Sequence, residues 1–407
     1  MTELPAPVQM LAGYRVLDFS QYLAGAGVTR MMAELGADIV KVEIPPMGDP
    51  GRVLPWVKDG RSSFFIQMNR GKRSLSVDWD TPEGLQIILD LVPLCDVVVE
   101  NFGHGVLAKR GLDYEHIKQL NPKVVMVSVS AFGQTGPWSD RPGFDGIAQA
   151  FSGMMHMTGD PSRPPSAVGF AIADSSAAVH GFAAVGLALL HRERTGQGQH
   201  IDIAMVDVMF HLSEVLAQYD LSGGEFHPTR MGQHHPLVCP VGIYQLPTGW
   251  GILMCLDRQW PYLVKAMGRP DLGEDPRFNP AVARAANQAE LVPQIQAWLL
   301  SFADNDAVLE ECRRHRIPIA PCLEPIDAID HPHYKAREMV RRVPDPIVGD
   351  VLIPGFPFKF SAVEALPTLL APLLGEHNNE ILAELLGFDE ARTAALEAHG
   401  VLHRGDR

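Results

Sequence analysis

Hydrophobic residues in the first third of the chain fall into short β-branched runs that alternate with helical segments. One segment covers residues 26–35 and ends at Gly36, and Thr81-Pro82 suits a helix start because threonine caps and proline fits the first turn. Strands that alternate with helices predict an α/β fold with a parallel, doubly wound sheet, which binds ligands at the carboxyl ends of its strands. The predicted strands are residues 15–19, 38–43, 74–78, 96–100 and 124–130.

A long apolar segment follows these strands. Between residues 175 and 190 the only acid or base is His180, so this segment predicts a core helix with one charged group, Asp174, at its start. A further strand is expected at residues 200–204.

The composition of the chain changes at residues 222–224, a Ser-Gly-Gly sequence that we interpret as a domain boundary. Beyond it, residues 242–246 and 251–256 predict a hairpin. We therefore expect a large domain over residues 1–222, completed by 318–407, and a smaller α+β domain over 223–317.

Charge and composition limit the partners. The net charge of -14 argues against nucleic acid, because no overall basic excess exists to neutralise phosphates. The five cysteines are scattered without a CxxC pair, which is typical of a reducing compartment. The most apolar stretch, residues 177–190, is shorter than the roughly 20 residues of a membrane span, and the first twelve residues do not form a signal peptide. We expect a cytoplasmic protein with no nucleic-acid and no membrane partner.

Asp174 is the residue with the strongest claim to chemistry, and two interpretations of it stand. Aspartate before an alanine-rich helix commonly caps that helix. Alternatively, the positive end of the helix holds this carboxylate ionised beside a substrate. Asp145, Glu100 and Asp257 are less specific carboxylate candidates.

Other catalytic signatures are weak. The pairs His234-His235 and His331-Pro332-His333 lack a third ligand at regular spacing, so we interpret them as loop histidines and expect no metal site. No GxSxG sequence is present. Gly25 and Gly27 follow the first strand, but arginine stands at the third glycine position of a dinucleotide fingerprint, which disfavours that cofactor.

Basic residues fall beside strands and loops of the first domain, where a phosphorylated ligand would lie, although a solvated basic face is the commoner meaning of such groups. Asn101-Phe102-Gly103 directly follows the fourth strand, a position suited to contact with an adenine. The basic residues are Arg70, Lys72, Arg73, Lys109, Arg110 and Arg141.

Several ordered motifs together carry a resemblance to a known family. The chain resembles the family III CoA-transferases, which include formyl-CoA transferase, carnitine CoA-transferase and the related α-methylacyl-CoA racemases. The resemblance implies a Rossmann-like large domain, a small domain and two chains interlocked as rings in a homodimer. The motifs are Val16-Leu17-Asp18-Phe19, residues 35–43 (LGADIVKVE), residues 69–74 (NRGKRS), Val99-Glu100-Asn101-Phe102-Gly103, residues 149–153 (QAFSG), Ile172-Ala173-Asp174, residues 194–199 (RTGQGQ) and Leu374-Gly375-Glu376-His377.

The resemblance also implies the ligand and the site. Asp174 matches the family's catalytic aspartate, and CoA or acyl-CoA is implied as a substrate, with no tightly bound cofactor. Leu23 and Ile44 stand where formyl-CoA transferase has a polar and a basic residue. The implied CoA contacts are Ala24, Val77, Asp78, Trp79, Asn101, Phe102, Gly103, Lys109 and Arg141.

The function implied is an acyl-CoA:carboxylate CoA-transferase, in which Asp174 forms an acyl–aspartyl anhydride and then an aspartyl-CoA thioester. A racemase is one alternative, but this chain has Phe144 where racemases carry a histidine before the aspartate, and phenylalanine cannot exchange a proton. A CoA-binding protein without activity, in which Asp174 only caps its helix, is another. Because residues 230–240 do not reproduce the glycine run of formyl-CoA transferase, we expect a larger acid than formate or oxalate.

Overall fold

The computed structural model describes residues 9–363 and 367–405, which group into two compact units. The first contains the chain up to 154, residues 168–214 and the chain from 335 onward, and the second contains 155–167 and 215–334. The domain boundaries expected at 222 and 318 stay a prediction. The compact units divide the chain at other positions, and the strand at Ile319–Pro321, just beyond the expected boundary, pairs within the second unit.

The chain to residue 214 supplies most of the first unit. Its strands are β1 (Arg15–Asp18), β2 (Asp38–Glu43), β3 (Val57–Lys58), β4 (Arg61–Ser62), β5 (Lys72–Ser76), β6 (Val97–Glu100), β7 (Val125–Ser130) and β8 (Gln199–Ala204). Its helices are α1 (Ala24–Glu34), α2 (Ser63–Asn69), α3 (Pro82–Leu91), α4 (Tyr114–Leu120), α5 (Asp145–Phe151), α6 (Met154–Met157, at the boundary), α7 (Ile172–Thr195) and α8 (Met205–His211).

Six of these strands form one parallel sheet in the order β5-β2-β1-β6-β7-β8. The β-branched runs form its centre because both faces are covered: Val97 and Val99 of β6 pack on one side and Val98 on the other. The predicted α/β fold with a parallel sheet is confirmed. The chain changes direction of winding between β1 and β6, and at such a switch point the loops separate and leave a crevice for ligands.

Helix α7 is the central helix of this unit and packs along α1. A Cβ on Gly27 of α1 would lie 2.7 Å from the Cβ of Ala178, and one on Gly181 would lie 2.8 Å from Val28, so these glycines let the helix axes approach. The helix has 24 residues, more than the sequence indicated, and among the described residues it is the one helix long and apolar enough to cross a membrane. One face of α7 lies in the core beside β7.

The second unit is built around a three-stranded antiparallel sheet in the order β11-β10-β9. The predicted hairpin is formed by β9 and β10. The elements of this part of the chain are α9 (Val215–Leu221), β9 (Val241–Gln245), β10 (Trp250–Met254), α10 (Trp260–Ala266), α11 (Pro270–Glu274), α12 (Ala281–Ala286), α13 (Gln288–Leu299), α14 (Asn305–Arg314), β11 (Ile319–Pro321), α15 (Asp327–Asp330) and α16 (Pro332–Ala336, at the boundary).

The end of the chain returns to the first unit and covers the free edge of β5. The Ser76 N–H donates to the Asn378 Oδ1 at 2.9 Å, and the His403 N–H donates to the Ser76 carbonyl at 3.2 Å. Because β5 is an edge strand, these bonds satisfy backbone groups that would otherwise be unpaired. The elements are β12 (Val340–Val343), β13 (Val351–Pro354), α17 (Asn378–Leu386) and α18 (Glu390–Ala398).

Candidate active site

The loops that follow β1 and β6 meet at the switch point of the sheet. The Asn101 side chain, one residue beyond β6, accepts the Gln21 N–H at 2.7 Å and donates to the Gln21 carbonyl at 2.8 Å. This pair of bonds fixes the loop between β1 and α1 against the loop after β6. The N-terminus of α1, including the buried Ala24, therefore lies beside Asn101-Phe102-Gly103.

The residues from 77 to 79 are brought to the same edge of the sheet. The Trp79 ring contacts the rings of Phe19 and Phe102, with centroids 5.8 Å and 5.3 Å apart. Val77 and Trp79 are buried, Asp78 is partly buried, and Phe102 and Gly103 are more open. The structure therefore brings residues 77–79 and the loop after β6 to one edge of the sheet. The loop after β6 is more accessible to a ligand than the Val77 and Trp79 side chains.

The two basic residues among the implied CoA contacts are open to solvent. The Lys109 side chain is exposed and has no ion-pair partner in the described part of the chain. Its neighbour Arg110 instead pairs with Asp80 at 2.6 Å and lies over the Trp79 ring. Arg141 stacks on Trp138, 3.7 Å from the ring centroid, and has no carboxylate partner among residues 9–363 and 367–405.

The basic cluster at residues 70–73 is neither a phosphate site nor a solvated face. Each cation forms an ion pair with an acid of the first unit, and Arg70 and Lys72 are buried. Each basic side chain is neutralised by an acidic one, so these residues connect elements of the first unit and are not available to a phosphate. The pairs are Arg70 with Glu34 at 2.5 Å, Lys72 with Asp18 at 2.8 Å and Arg73 with Asp38 at 2.7 Å.

Asp174 lies within the first turn of α7 and not at its N-cap, which is Ala171. The interpretation of Asp174 as a capping residue is therefore wrong. The cap comes from Asp145, whose Oδ1 accepts the N–H groups of Ala173 at 2.7 Å and Asp174 at 3.1 Å. The Asp174 carboxylate itself has no hydrogen-bond partner in the described part of the chain and remains available to a ligand.

Asp145 is held in turn by a buried amide. Gln149, one turn later on α5, donates to the Asp145 Oδ2 at 2.6 Å and accepts the Val168 N–H at 2.9 Å. This arrangement fixes the carboxylate of Asp145 against the start of α7. Sequence reasoning singled out Asp145 but not its role, because the cap stands 28 and 29 residues before the N–H groups that it binds.

The pKa of Asp174 is raised to about 6. Burial of the carboxyl group is the larger cause, and repulsion from the negative charge of Asp145 is the second. The expectation that the helix start keeps Asp174 readily ionised is therefore only partly met. At neutral pH the group is still mostly charged, and it is a stronger base than an exposed aspartate.

Glu100 is a second buried carboxyl group at this edge. Its Oε2 accepts the Phe102 N–H at 2.8 Å, so it shapes the loop that follows β6. Burial raises its pKa to about 7.

The remaining candidate residues belong to the second unit. Asp257 belongs to the second unit and forms an ion pair with the buried Arg284, with its own side chain 70% exposed. Across residues 9–363 and 367–405, no three His, Cys, Asp or Glu side chains come together as a metal site would need. His234 and His331 therefore have no ligand cluster around them.

Comparison with known proteins gives consistent similarities. The family model described as CoA-transferase family III matches residues 11–378. The chain is 37% identical over 405 residues to a succinyl-CoA–D-citramalate CoA-transferase of Chloroflexus aurantiacus, covering 97% of this chain and 99% of the relative. It is 36% identical over 409 residues to a succinate–glutarate CoA-transferase of Agrobacterium fabrum, covering 97% of this chain and 100% of the relative.

A solved structure shares the fold as well. A CAIB/BAIF family protein from Brucella suis matches with a TM-score of 0.81 and 36% identity, over 93% of this chain and 99% of its own. The similarity thus extends over both compact units and not over the sheet alone.

Proposed function

Because the chain belongs to CoA-transferase family III, and is an enzyme of that family, we propose that it moves CoA from an acyl-CoA donor to a free carboxylic acid through a covalent intermediate on Asp174. The observation that supports this most is the unpartnered Asp174 carboxylate in the first turn of α7, with a raised pKa and with the neighbouring N–H groups already bound by Asp145. Such a carboxylate is free to act as a nucleophile.

The first half of the reaction transfers CoA to the enzyme. An Asp174 oxygen attacks the thioester carbonyl carbon, the C–S bond breaks, and CoA leaves as the thiolate, which gives an acyl–aspartyl anhydride. The thiolate then attacks the side-chain carbonyl of Asp174 and releases the donor acid as a carboxylate. Asp174 is left as its CoA thioester.

The second half runs the same steps in reverse with the acceptor. The acceptor carboxylate attacks the aspartyl thioester, the CoA thiolate leaves, and a second anhydride forms. Attack of the thiolate on the acyl carbonyl of the acceptor makes the new acyl-CoA and regenerates the Asp174 carboxylate. Each step exchanges one acyl bond for another, so no oxidant, reductant or metal is consumed.

The first turn of α7 contributes to these steps through its charge and its rigidity. The positive end of the helix dipole favours the negative charge that develops on the attacked carbonyl. Asp145 holds the first turn in place, and its charge makes the Asp174 carboxylate more basic. A more basic carboxylate is a better nucleophile while it is still ionised.

CoA is proposed to bind at the switch point. The segment Asn101-Phe102-Gly103 offers backbone groups and an aromatic ring to the nucleotide, and Lys109 and Arg141 offer cations to its phosphates. In a protein with a net charge of -14 such local cations are needed to attract an anionic ligand.

The acids are proposed to be dicarboxylic acids of four or five carbons. The relatives named above act on succinyl-CoA with D-citramalate and on succinate with glutarate. This agrees with the expectation of an acid larger than formate or oxalate.

The chain is further proposed to form a homodimer in the cytoplasm, with interlocked subunits. Apolar side chains on the outer face of α7 support association, since Val179, Leu187 and Leu190 are exposed in the single chain. Light scattering should give twice the chain mass of 44.6 kDa. A monomer at micromolar concentration would contradict this part of the proposal.

A CoA-exchange assay tests the proposed transferase activity directly. Purified enzyme is incubated with a panel of acyl-CoA donors and free acids, and the CoA products are identified by mass spectrometry. Hydroxylamine added during turnover should convert Asp174 to its hydroxamate, detectable in the Asp174 peptide. If no donor and acid pair exchanges CoA, the transferase proposal fails.

The same assay separates the racemase alternative. With one epimer of a 2-methylacyl-CoA in deuterated water, we expect no label at the α-carbon, because Phe144 provides no second proton-transfer group. Rapid labelling with loss of optical purity would favour the racemase.

A further inference from the structure

Tyr22 has a backbone conformation that tyrosine rarely adopts. Its φ of +56° lies in the left-handed region, where a bulky side chain strains the backbone. Such a residue persists only where its surroundings hold it. The Asp49 Oδ1 accepts the Tyr22 N–H at 3.1 Å, and the Asn101 side chain binds both the N–H and the carbonyl of the preceding residue, Gln21.

Buried charges hold the hydrogen-bond partners of Gln21 and Tyr22 in place. Asp49 is 2% exposed, and its carboxylate pairs with the buried ammonium of Lys41 at 3.0 Å. Lys41 also donates to the Ser20 carbonyl at 2.7 Å, so the same cation holds the start of the loop. A strained residue fixed by a buried ion pair indicates that the position of its side chain matters.

The Tyr22 side chain contacts the segment that leads to the cap of the nucleophile's helix. Its ring meets the edge of the Phe144 ring, with centroids 6.2 Å apart, and Phe144 directly precedes Asp145, which caps the turn that carries Asp174. On the other side, Asn101 joins the Tyr22 loop to the segment that follows β6. The reacting carbonyl of an acyl-CoA lies at Asp174, and its acyl chain extends from that carbonyl away from the CoA sulfur, so the acyl chain is the part of the substrate that would meet this ring.

The Tyr22 hydroxyl is free to bind a ligand. It has no hydrogen-bond partner among residues 9–363 and 367–405, and the side chain is only partly buried. The adjacent Phe144 can neither donate nor accept a hydrogen bond. A phenol O–H next to an apolar ring is a good donor to a carboxylate, because such bonds are short and strengthen when water is excluded.

We propose that Tyr22 is a specificity-determining residue whose hydroxyl donates a hydrogen bond to the second carboxylate of a dicarboxylic substrate, the one that does not react. This inference rests on the proposed function. It assigns to one side chain the preference for diacids over monocarboxylic acids of the same length.

The test compares kcat/KM for succinate and butyrate as acceptors in wild type and in Tyr22→Phe, which keeps the ring and removes the hydroxyl. A hydrogen bond to a charged group contributes about 1.5–3 kcal/mol, so kcat/KM for succinate should fall roughly 10-fold to 100-fold. The ratio of succinate to butyrate should fall by a similar factor. Tyr262→Phe, on an exposed tyrosine of α10, is the matched control and should leave the ratio unchanged.

Three outcomes contradict the inference: a loss for succinate of less than threefold, equal losses for both acids, or a wild-type enzyme that does not prefer succinate. Thermal unfolding of Tyr22→Phe should match wild type, which excludes misfolding as the cause of a loss. Failure of the proposed function looks different, because then the wild-type enzyme transfers CoA to neither acid.

Discussion

At the scale of single residues, the environment of Asp174 makes its carboxylate more basic and at the same time makes the fold less stable at neutral pH. Burial and the charge of Asp145 both disfavour its ionised form, which raises its pKa to about 6. In the unfolded chain the pKa would return to its ordinary value near 3.8. The folded state therefore holds a proton more tightly, and this group makes the fold less stable as pH rises through that interval, with the full cost present at neutral pH.

Asp174→Asn should accordingly abolish transfer and raise stability. Asparagine cannot form the anhydride, but it removes the unfavourable charge, so we expect the free energy of unfolding at pH 7.5 to increase by about 1–3 kcal/mol. Urea unfolding at pH 7.5 and pH 4 measures the effect, which should be small at pH 4, where the folded-state carboxyl is already protonated. Near-normal turnover in this variant would exclude Asp174 as the nucleophile.

Asp145→Asn tests the source of the raised pKa. The rate should rise with pH through an apparent pKa near 6 in wild type, because only ionised Asp174 attacks. Removing the negative charge of Asp145 should move the acidic limb of the pH–rate profile to lower pH, while the asparagine oxygen can still cap α7. Asp90→Asn, on the exposed face of α3, is the control. A limb that stays in place, or moves to higher pH, contradicts the role given to Asp145.

Lys109→Ala should weaken CoA binding and leave the chemical step largely unchanged. An exposed cation without a protein partner is available to a phosphate, and its loss removes interactions that substrate and transition state share. We expect KM for acyl-CoA to rise about 5-fold to 10-fold, with kcat within about twofold. Lys123→Ala, at the amino end of β7, serves as the control. An unchanged KM would mean that Lys109 is only part of a solvated surface.

At the scale of elements, the position of the nucleophile depends on how closely α1 and α7 pack. Ala178, one turn after Asp174, faces Gly27 of α1 with no room for another methyl group. Because α1 starts at the switch point, this contact couples the proposed CoA side of the site to the first turn of α7.

Gly27→Ala should separate the two helices, and Gly186→Ala is the matched control because a Cβ there meets no atom within 4 Å. Both changes raise helix propensity by about 1 kcal/mol. Overpacking should make the Gly27 variant about 1–3 kcal/mol less stable than the control. Its kcat should fall by about tenfold or more, since displacing a nucleophile is costly. Equal stability and activity in the two variants would show that the contact is easily relieved.

The strands β2, β6 and β7 were predictable because each is a β-branched run buried on both faces. The edge strand β5 contains no β-branched residue, and it begins two residues before its predicted position at 74. The start of α7 was expected three residues later than it occurs, at 175 instead of Ile172, because residues 171–173 contain no capping side chain. The cap comes from Asp145, far away along the chain, and a local pattern cannot reveal it. The ion pairs of Arg70, Lys72 and Arg73 escaped prediction for the same reason, since their acidic partners lie in other elements.

At the scale of the whole molecule, the first unit is completed by the end of the chain. Asn378 is fully buried and joins two backbone groups, accepting the Ser76 N–H and donating to the His403 carbonyl at 3.0 Å. The parallel sheet thus has an edge that residues from a distant part of the chain cover.

Asn378→Ala should destabilise the first unit by about 2–4 kcal/mol, because it leaves a buried N–H and a buried carbonyl unpaired. The neighbouring Asn379→Ala removes an exposed amide from the same turn and should change stability by less than about 0.5 kcal/mol. Urea unfolding of both variants measures the difference. Equal unfolding midpoints would mean that water replaces the lost partner.

The covered edge of β5 has a consequence for biosynthesis. A ribosome that adds about 5–20 residues per second releases β5 well before Asn378 and His403, so the nascent sheet waits tens of seconds with its edge strand open. Open edges pair readily with other chains. Nascent chains should therefore need a chaperone during this interval, and ribosome profiling with chaperone capture should find the strongest binding after β5 has emerged and a sharp decrease once α17 is released.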